Sequence, residues 1–415
     1  MSARMEIVVI GAGIVGLATA RALQREGHSV TVLDRDDPGL GCSFGNAGHV
    51  AIDHVIPLAR PGNILNAPKM LFDRLGPLTI KPAAIPALLP WLARFAMACR
   101  SDQVARGTAA LASLLSATNE AWREEVAASK LEPLVKTGGA LLVYETDRAF
   151  ARHAADRETQ RRHGVRVETI DGAEARRMAP GLGPAIRHGT VFPDDGTVID
   201  PFGLVGLLAK AFVADGGRIE KTAATGFETF DNAVFAVKTA VGARPADLVV
   251  VAAGVESRDI ARLLDLHLPL VAERGYHLML DKRDVAFDIA VTSAERSFVM
   301  TPMTTGLRLA GTVEFGRMDD PPSWERAEVL ARHLRALFPD IEPRELSRWM
   351  GRRPTLPDFL PAIGRVPGLA NVMVATGHQH LGLTLAMITA RLIADLAAGR
   401  PPRVDLAPFD PGRFS

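Results

Sequence analysis

The pattern of apolar and polar residues near the start of the chain predicts a β-α-β unit. Residues 7–10 are a short β-branched run, which is typical of a strand buried on both faces. Apolar residues then recur at helical spacing, and a second apolar run at residues 30–33 ends in Asp34. Similar apolar runs at residues 247–254 and 372–374 predict further core strands. Together these elements predict an α/β fold with a mainly parallel sheet.

Three glycines connect the first strand to the first helix in the G-x-G-x-x-G spacing. Gly11 turns the chain, Gly13 allows the backbone to approach a pyrophosphate, and Gly16 allows the helix to pack on the strand. An anion is favoured at the helix N-terminus by free N–H groups and by the helix dipole. Asp34 is placed to accept a hydrogen bond from a ribose hydroxyl. The unit predicts a bound dinucleotide rather than a purely structural turn, and the flanking residues Ile14, Val15 and Arg35 are predicted contacts.

Two longer helices are predicted elsewhere from the same periodicity. Residues 104–129 fit one long helix, and residues 201–214 fit a helix with proline in its first turn. The apolar stretch at residues 85–97 is too short to span a bilayer. It predicts a buried helix, with a peripheral membrane contact as the alternative.

Composition bounds the class of protein. The 415 residues suggest two or three domains. The balance of 48 basic against 47 acidic residues gives no reason to expect a nucleic-acid partner. Two cysteines cannot form a disulfide framework, which suits a reducing compartment. The N-terminus runs directly into the first strand, so no signal peptide is expected. These features predict a cytoplasmic protein, with peripheral contact at the inner face of the cell membrane as an option.

A second glycine-rich stretch, at residues 39–49, follows the β-α-β unit. Small residues there would let the backbone approach a second part of the cofactor. With the first motif, its Ser-x-x-Asn-Ala-Gly run resembles the FAD-dependent D-amino-acid oxidase/dehydrogenase superfamily. Within that superfamily the chain is most similar to the D-amino-acid dehydrogenase branch, and there to bacterial D-hydroxyproline dehydrogenases. The family most often has Glu where this chain has Asp34. The resemblance implies cofactor contacts from Ser43, Asn46, Ala47 and Gly48.

The resemblance also implies an architecture of two interleaved domains. A Rossmann-like FAD-binding domain of the glutathione-reductase type is expected from residues 1–60, 190–265 and 345–415. An α+β substrate domain with a mainly antiparallel sheet is expected from residues 61–189 and 266–344.

The C-terminal third carries the residues predicted to contact the substrate and the flavin ring. Residues 351–358 resemble the family's Gly-x-Arg-Pro-x-x-x-Asp segment, in which the arginine before proline clamps the substrate carboxylate. Arg353 is the matching position, and a guanidinium is planar, charged and bidentate toward carboxylate. A structural salt bridge is the alternative. The position at which related sarcosine oxidases attach flavin is not Cys here, so we expect non-covalent FAD.

The turn at residues 375–384 resembles the family's Gly-His-x-x-x-Gly turn, which leads into a helix facing the flavin pyrimidine. Such a helix N-terminus stabilises negative charge on reduced flavin. The strand at residues 247–254 approaches the cofactor from the opposite side in the family. Gln379 and His380 lie in the variable part of the turn, where relatives carry substrate contacts. The cofactor contacts implied here are Gly377, His378, Leu381, Gly382, Leu383, Thr384, Ala253 and Gly254.

Tyr276 and His49 complete the predicted substrate site. Tyr276 is either a half-buried strand residue or a substrate contact, as tyrosines are in this part of the family. Its neighbour Arg274 is interpreted as an ion-pair residue. The His-x-His spacing at residues 378–380 is a weak metal signal, so no metal is expected. His49 and His380 are instead assigned to polar recognition of a substrate substituent.

The resemblance implies an enzyme that oxidises the Cα–N bond of a small amino acid. Arg353 would hold the carboxylate so that a hydride passes from Cα to flavin N5. The amine must first lose a proton, and no side chain identifies itself as the base. The favoured substrate is cis-4-hydroxy-D-proline, oxidised to a pyrroline carboxylate, because a hydroxyl facing imidazole allows discrimination. A quinone or another respiratory carrier is the expected electron acceptor.

Four alternatives stay open from the sequence. A broad D-amino-acid dehydrogenase has the same motifs, and so does a glycine or sarcosine oxidase. The chain could also be a flavoprotein without catalytic activity that acts as a subunit. The intact Arg353 and both glycine-rich turns argue against this alternative. An NAD(P)-dependent enzyme fits the first motif alone but not the two later cofactor segments.

Overall fold

The structure is a computed structural model that describes residues 4–73 and 75–414. Its strands, in chain order, are β1 (Glu6–Ile10), β2 (Ser29–Asp34), β3 (His49–Val50), β4 (Leu78–Ile80), β5 (Val135–Lys136), β6 (Ala140–Tyr144), β7 (Glu168–Asp171), β8 (His188–Phe192), β9 (Gly196–Val198), β10 (Arg218–Lys221), β11 (Ala224–Phe230), β12 (Ala233–Thr239), β13 (Gly242–Pro245), β14 (Leu248–Val251), β15 (Val271–Leu280), β16 (Ala290–Ser293), β17 (Phe298–Pro302), β18 (Leu307–Phe315), β19 (Glu345–Thr355), β20 (Ala362–Arg365) and β21 (Val372–Thr376). Its α-helices are α1 (Ile14–Arg25), α2 (Pro61–Phe72), α3 (Ile85–Ala98), α4 (Ser101–Ser116), α5 (Thr118–Ser129), α6 (Asp147–Arg152), α7 (Ala154–Arg162), α8 (Gly172–Met178), α9 (Pro201–Ala214), α10 (Ser257–Arg262), α11 (Glu325–Leu337) and α12 (Gly382–Ala397).

A six-stranded sheet in the order β10-β2-β1-β14-β21-β20 carries the first β-α-β unit. All of its pairings are parallel except that of β20 with β21. Its central strands are buried on both faces, which explains why they are continuous apolar runs. Helices α1 and α12 pack together in the core cluster beside this sheet. The predicted α/β fold with a mainly parallel sheet is confirmed.

A larger, mainly antiparallel sheet runs in the order β19-β15-β18-β17-β16-β6-β8-β7, with β4 beside β18. Helix α11 packs on β15 and β18. Strand β19 pairs with β15 along its length. The predicted boundary at residue 345 places β19 in the FAD-binding domain and β15 in the substrate domain, so this pairing crosses the predicted boundary. The division into two domains otherwise stays a prediction.

The structure confirms one of the two longer helices predicted from periodicity and corrects the other. The helix over residues 201–214 is confirmed as α9, with proline in its first turn. One continuous helix over residues 104–129 is wrong, because α4 ends at Ser116 and α5 begins at Thr118. Near this break the hydroxyls of Ser116 and Thr118 donate to backbone carbonyls within α4, a contact that competes with regular helix geometry.

Helix α3 is confirmed at residues 85–97, but only one of its faces is buried. Leu88 and Trp91 are buried, whereas Leu89 keeps 57% of its surface exposed. Among the described residues, the stretch Gln379–Ala397 is long and apolar enough to cross a membrane, and 67% of it is buried inside the fold. Burial of that degree is what a core helix shows.

Candidate active site

A cavity of about 370 Å³, the first cavity, lies at the carboxyl ends of β1, β2, β14 and β21. This is where open α/β sheets bind their ligands. Most of the predicted cofactor residues line it. They are Gly11, Gly13, Ile14, Val15, Asp34, Arg35, Ser43, Asn46, Ala253, Gly254, His378, Gly382 and Leu383.

The turn between β1 and α1 leaves no room for a side chain at Gly11 or at Gly16. Gly11 has φ of +115°, and a Cβ atom on Gly16 would lie 1.9 Å from the Gly11 carbonyl oxygen. Gly13 occupies the N-cap position and has no side chain to cover the end of α1. Ser43 Oγ accepts a hydrogen bond from the Ile14 N–H at 3.0 Å. The helix N-terminus is thus presented to the first cavity as an anion site.

Asp34 is fixed at the rim of the first cavity. Its two carboxylate oxygens accept hydrogen bonds from the Ala12 and Asp36 N–H groups at 2.7 and 2.9 Å. Each oxygen keeps a further lone pair for a ribose hydroxyl. Arg35 turns away to Glu256 at 2.6 Å, and both residues border the cavity. Glu256 had no role in the sequence prediction, since it lies within a helical stretch without a motif.

A second cavity, of about 520 Å³, lies against the large sheet. The residues predicted to contact substrate all border it: His49, Tyr276, Arg353, Gln379 and His380. Helices α2 and α3 supply part of its wall. The first and second cavities share three residues, Cys42, Asn46 and Gln379, so they meet at that point.

Strand β19 forms a wall between the two cavities. Trp349, Gly351 and Arg353 border the second cavity, whereas Arg352 and Pro354 border the first. Successive side chains of a strand point to opposite faces, so this division follows from the pleat. The same alternation explains why Arg353, and not Arg352, faces the predicted substrate site.

Arg353 is oriented by the neighbouring strand β15. Its Nη1 donates to Glu273 Oε1 at 2.9 Å, and the other Glu273 oxygen accepts from Thr355 Oγ1 at 2.9 Å. Glu273 is 4% exposed. The guanidinium crosses over Gly275, where a Cβ atom would lie 2.6 Å from the guanidinium carbon. A glycine at that position is therefore part of how the arginine is held.

Tyr276 borders the second cavity, but its hydroxyl is hydrogen-bonded within the fold, and the predicted substrate contact stays a prediction. Its side chain is buried, and its hydroxyl donates to Glu314 Oε1 at 3.0 Å. The tyrosine hydroxyl oxygen also accepts a hydrogen bond from the Ser323 N–H at 2.9 Å. Arg274, which the pleat places on the same face, forms an ion pair with Glu314 at 2.8 Å. The interpretation of Arg274 as an ion-pair residue is confirmed.

Gln379 stands where the cavities meet. Its backbone has a positive φ of 47°, and its Nε2 donates to the Phe359 carbonyl. Its Oε1 is buried and has no hydrogen-bond donor within the described part of the chain. An acceptor in that state fits an N–H group on a bound molecule.

Several predicted cofactor residues lie behind the cavity walls. Gly48 packs against Val198 and Met303, and Gly377 against Leu356. Thr384 Oγ1 accepts from the Ala51 N–H at 3.1 Å. The structure gives these residues and Gly16 packing roles, and it places Ala47 and Leu381 at the second cavity.

Three histidines border the second cavity with two buried aspartates behind them. His49 Nε2 lies 2.8 Å from Asp195 Oδ2, and His54 Nδ1 lies 3.0 Å from His380 Nε2. Asp53 lies beside Asp195. Sequence reasoning did not assign Asp53, His54 or Asp195. The pair Asp53-His54 lies a few residues after the glycine-rich stretch, but Asp195 is distant from it in sequence.

Burial sets the charge state of these groups. It lowers the pKa of His49 and of His54, and the pKa of His380 falls well below its usual value because of burial and then the neighbouring His54 and Arg353. Burial raises the pKa of Asp53 and that of Asp195 to about 7. The imidazoles are therefore neutral at pH 7.

The first cavity fits FAD in the chemistry of its donors. The helix N-terminus, where Gly13 carries no side chain, suits the pyrophosphate, Asp34 suits the ribose, and the unpartnered Gln379 oxygen suits an N–H group. Bound there, FAD would supply a two-electron acceptor.

The chain matches a protein-family model and named relatives over nearly its whole length. The sequence model of the family described as "FAD dependent oxidoreductase" (DAO) matches residues 6–396. A protein named D-amino-acid oxidase from Bradyrhizobium diazoefficiens is 34% identical over 98% of both chains. A protein named D-amino acid dehydrogenase 2 from Ralstonia nicotianae is 34% identical over 98% of this chain and 99% of its own.

Solved structures share the fold. Glycine oxidase from Geobacillus kaustophilus superposes with a TM-score of 0.78 at 22% identity, covering 99% of both chains. L-proline dehydrogenase from P. horikoshii superposes with a TM-score of 0.77 at 21% identity, covering 100% of this chain and 98% of its own. Fold, cofactor cavity and sequence agree, and the chain belongs to the DAO family of FAD-dependent oxidoreductases.

Proposed function

We propose that this enzyme dehydrogenates the Cα–N bond of a small D-amino acid, with cis-4-hydroxy-D-proline as the preferred substrate. The product is the cyclic imine, a pyrroline carboxylate. The observation that carries the proposal is the guanidinium of Arg353 at the second cavity, held by a buried glutamate on the adjacent strand. Relatives named D-amino-acid oxidase and D-amino acid dehydrogenase support the same substrate class.

Arg353 gives the second cavity a fixed point for a carboxylate. One side of its guanidinium is engaged by Glu273, and the remaining N–H donors are available to a substrate. A carboxylate bound there places the rest of the amino acid among His49, His54 and His380. Binding the substrate through its carboxylate fixes the orientation of the Cα–H bond relative to the acceptor of the hydride.

The neutral imidazoles support a hydroxylated substrate. His49 contacts Asp195 through Nε2, so its Nδ1 is the ring nitrogen available to a substrate hydroxyl. A site that binds a hydroxyl in this way rejects analogues without it, because its polar groups are left unpaired. D-Proline should therefore be the poorer substrate. The apolar part of the wall, including Trp91, Leu92 and Phe95, suits the ring carbons.

Anaerobic reduction of the flavin by a panel of amino acids tests the proposal. The panel contains both prolines, the four 4-hydroxyprolines, D-alanine, D-phenylalanine, glycine and sarcosine. Fast bleaching by cis-4-hydroxy-D-proline and slow bleaching by D-alanine are expected. Preference for acyclic D-amino acids would replace the substrate assignment by a broad dehydrogenase. Preference for glycine or sarcosine would replace it by the oxidase alternative.

We also propose that FAD is held without a covalent bond. Cys42 borders the first cavity, but its thiol donates to the Arg352 carbonyl at 2.7 Å. Burial raises the pKa of this thiol to about 12, which makes it a poor nucleophile. Acid precipitation should release all of the yellow colour into the supernatant. Colour retained in the pellet would contradict non-covalent binding.

We also propose that the protein contacts the inner face of the cell membrane and that it transfers electrons to a quinone. Helices α2 and α3 form part of the wall of the second cavity with one face. Their other faces are apolar and exposed, with Leu65 at 79%, Leu89 at 57% and Met97 at 59%. Apolar surface of this kind inserts at the boundary of headgroups and acyl chains.

Cosedimentation with phosphatidylethanolamine/phosphatidylglycerol vesicles tests the membrane contact. The double variant Leu65→Ser/Leu89→Ser should lose binding. The variant Phe230→Ser/Val241→Ser removes apolar groups of comparable exposure, 73% and 67%, from the end of β11 and from the turn between β12 and β13, and it should bind like the wild type. Equal binding of all three proteins would contradict the assignment of this surface.

A further inference from the structure

Five titratable side chains, the His–Asp cluster, connect the second cavity to a smaller third cavity. They are His49, Asp53, His54, Asp195 and His380. The third cavity, of about 170 Å³, is lined by Asp53, His54 and His380 together with further polar residues and a few apolar ones. Because His54 and His380 border both cavities, they form a continuous path between them.

The hydrogen bonds within the cluster identify where a proton can reside. Asp195 accepts from the Ile52 and Asp53 N–H groups at 3.0 and 3.3 Å and from His49, so its oxygens already have hydrogen-bond donors. Asp53 Oδ1 is buried and has no donor in the described structure. It lies 3.7 Å from His54 Nε2. An unpartnered oxygen beside a second carboxylate is a site that can take up a proton.

We propose that His380 and His54 form a proton wire that carries the ammonium proton of the bound amino acid to Asp53. The proposal rests on the amino-acid substrate proposed above. It supplies the base that the sequence did not reveal. His380 contacts the substrate and is a catalytic residue in this scheme, whereas His54 and Asp53 act through it.

The transfer balances without any other reactant. The substrate N–H bond breaks and its proton binds His380 Nδ1, while the proton on His380 Nε2 passes to His54 Nδ1 across 3.0 Å. The proton on His54 Nε2 passes to Asp53 Oδ1 after a rotation that shortens the 3.7 Å separation. The net change is a neutral amine and a protonated Asp53. Water in the third cavity then returns the proton to solvent.

The groups around His380 and His54 disfavour a positive charge on either imidazole, so a proton passes along them and does not stay. Arg353 and His49 disfavour a charge on His380, and burial keeps both imidazoles of the wire neutral. Asp194 is the charged group next to Asp195. The charged and titratable groups across the third cavity are Arg60, Tyr144, His153, Asp156 and Arg157. Burial gives Asp53 a pKa of about 7, so it can both accept and release a proton at neutral pH.

The pH dependence of flavin reduction in the holoenzyme tests the wire. For wild type, the rate at saturating cis-4-hydroxy-D-proline should rise to a plateau above about pH 7. For Asp53→Asn and His54→Phe, the rise should shift toward the pKa of the free amine, near the value of about 10 of an aliphatic ammonium. This shift lowers the rate at pH 7 by about 100-fold or more, and the rate should recover at high pH. A merely structural role would not allow that recovery.

A matched control and a second readout make the outcome decisive. Asp194→Asn alters the neighbouring carboxylate, which pairs with Arg166 outside the cluster, and it should keep the wild-type profile. Thermal unfolding of the holoenzyme between pH 5 and 8 should show a loss of stability with rising pH that is smaller in Asp53→Asn, where only Asp195 still contributes to it. The same pH profile in all variants overturns the wire alone. No reduction by any amino acid overturns the proposed function and the wire with it.

The cluster also contains atoms that can bind a metal, since one ligand atom each from His49, Asp53 and Asp195 lie within 4.8 Å of one another. Tight binding of Zn²⁺ that is lost in Asp53→Asn would overturn the wire in favour of a metal site. Insensitivity of activity to chelators and to added Zn²⁺ supports the wire.

Discussion

Arg353 and Glu273 face each other on adjacent antiparallel strands, and their side chains meet at 2.9 Å in a partly buried ion pair. The carboxylate fixes one edge of the guanidinium and leaves the other for a substrate. This arrangement uses the planar fork of arginine, which lysine cannot reproduce.

Arg353→Lys should therefore retain flavin but raise KM for the amino acid by about 10- to 100-fold, as expected for losing a charge-assisted hydrogen bond of roughly 1.5–3 kcal/mol. Steady-state kinetics and the absorbance of bound flavin measure the two effects. Arg348→Lys, on the same strand but paired with Glu345, serves as the control and should leave KM unchanged. An unchanged KM in Arg353→Lys would remove Arg353 from the site.

Gly16→Ala should destabilise the protein and prevent flavin binding. The new Cβ would lie 1.9 Å from the Gly11 carbonyl oxygen, a contact that only a shift of the glycine turn can relieve. Gly206→Ala is the matched control in another helix, because a Cβ there meets no atom within 4 Å. It should stabilise the protein by up to about 1 kcal/mol. Flavin content and thermal unfolding distinguish the two. Full flavin occupancy in Gly16→Ala would contradict the assigned tight packing.

Arg274→Met should reduce the free energy of unfolding by about 3–5 kcal/mol, because it leaves the buried Glu314 without its closest cation. Chemical denaturation measures the loss. Arg187→Met breaks an ion pair with Asp147 in which both side chains are more than half exposed, and its effect should be much smaller. Equal effects would show that the burial of Arg274 does not govern its contribution.

Acid should destabilise the protein through His277. Burial, followed by the charge of Arg308, lowers the pKa of His277 to about 3. The unfolded chain therefore binds a proton at higher pH than the folded one. The stability that this group contributes is present above about pH 6.5 and is lost as the pH falls toward 3, by at most about 1.4 kcal/mol per pH unit.

The variant His277→Gln should show a shallower loss of stability over that range in denaturation experiments. His163→Gln, at an exposed position, should keep the wild-type slope. A slope that is identical in wild type and His277→Gln would mean that His277 does not titrate as the structure indicates.

Local signals in the sequence were sufficient to predict the first β-α-β unit and the position of Arg353 at the substrate site. The apolar run of β1, the glycine spacing and Asp34 all lie within one short stretch, so each supports the others. Arg353 is identified by its immediate neighbours. In contrast, the pairing with Glu273 depends on the register of two strands about 80 residues apart, which no local pattern specifies.

Orientation within strands was harder to predict than their location. Tyr276 lies in a strand as expected, but the face that its ring occupies is set by how β15 pairs with β18 and β19. The proximity of Asp53 to Asp195 likewise joins residues far apart in sequence. The break between α4 and α5 depends on hydroxyl hydrogen bonds that apolar periodicity does not register.

The alternation along β19 constrains how this enzyme can change over evolution. Substitutions at Trp349 or Gly351 can alter the second cavity without touching the first, because the intervening residues face the other way. A single inserted or deleted residue would instead exchange the two faces, turning Arg353 toward the cofactor and Arg352 toward the substrate. The strand can thus diversify in composition, and specificity with it, while its length stays fixed.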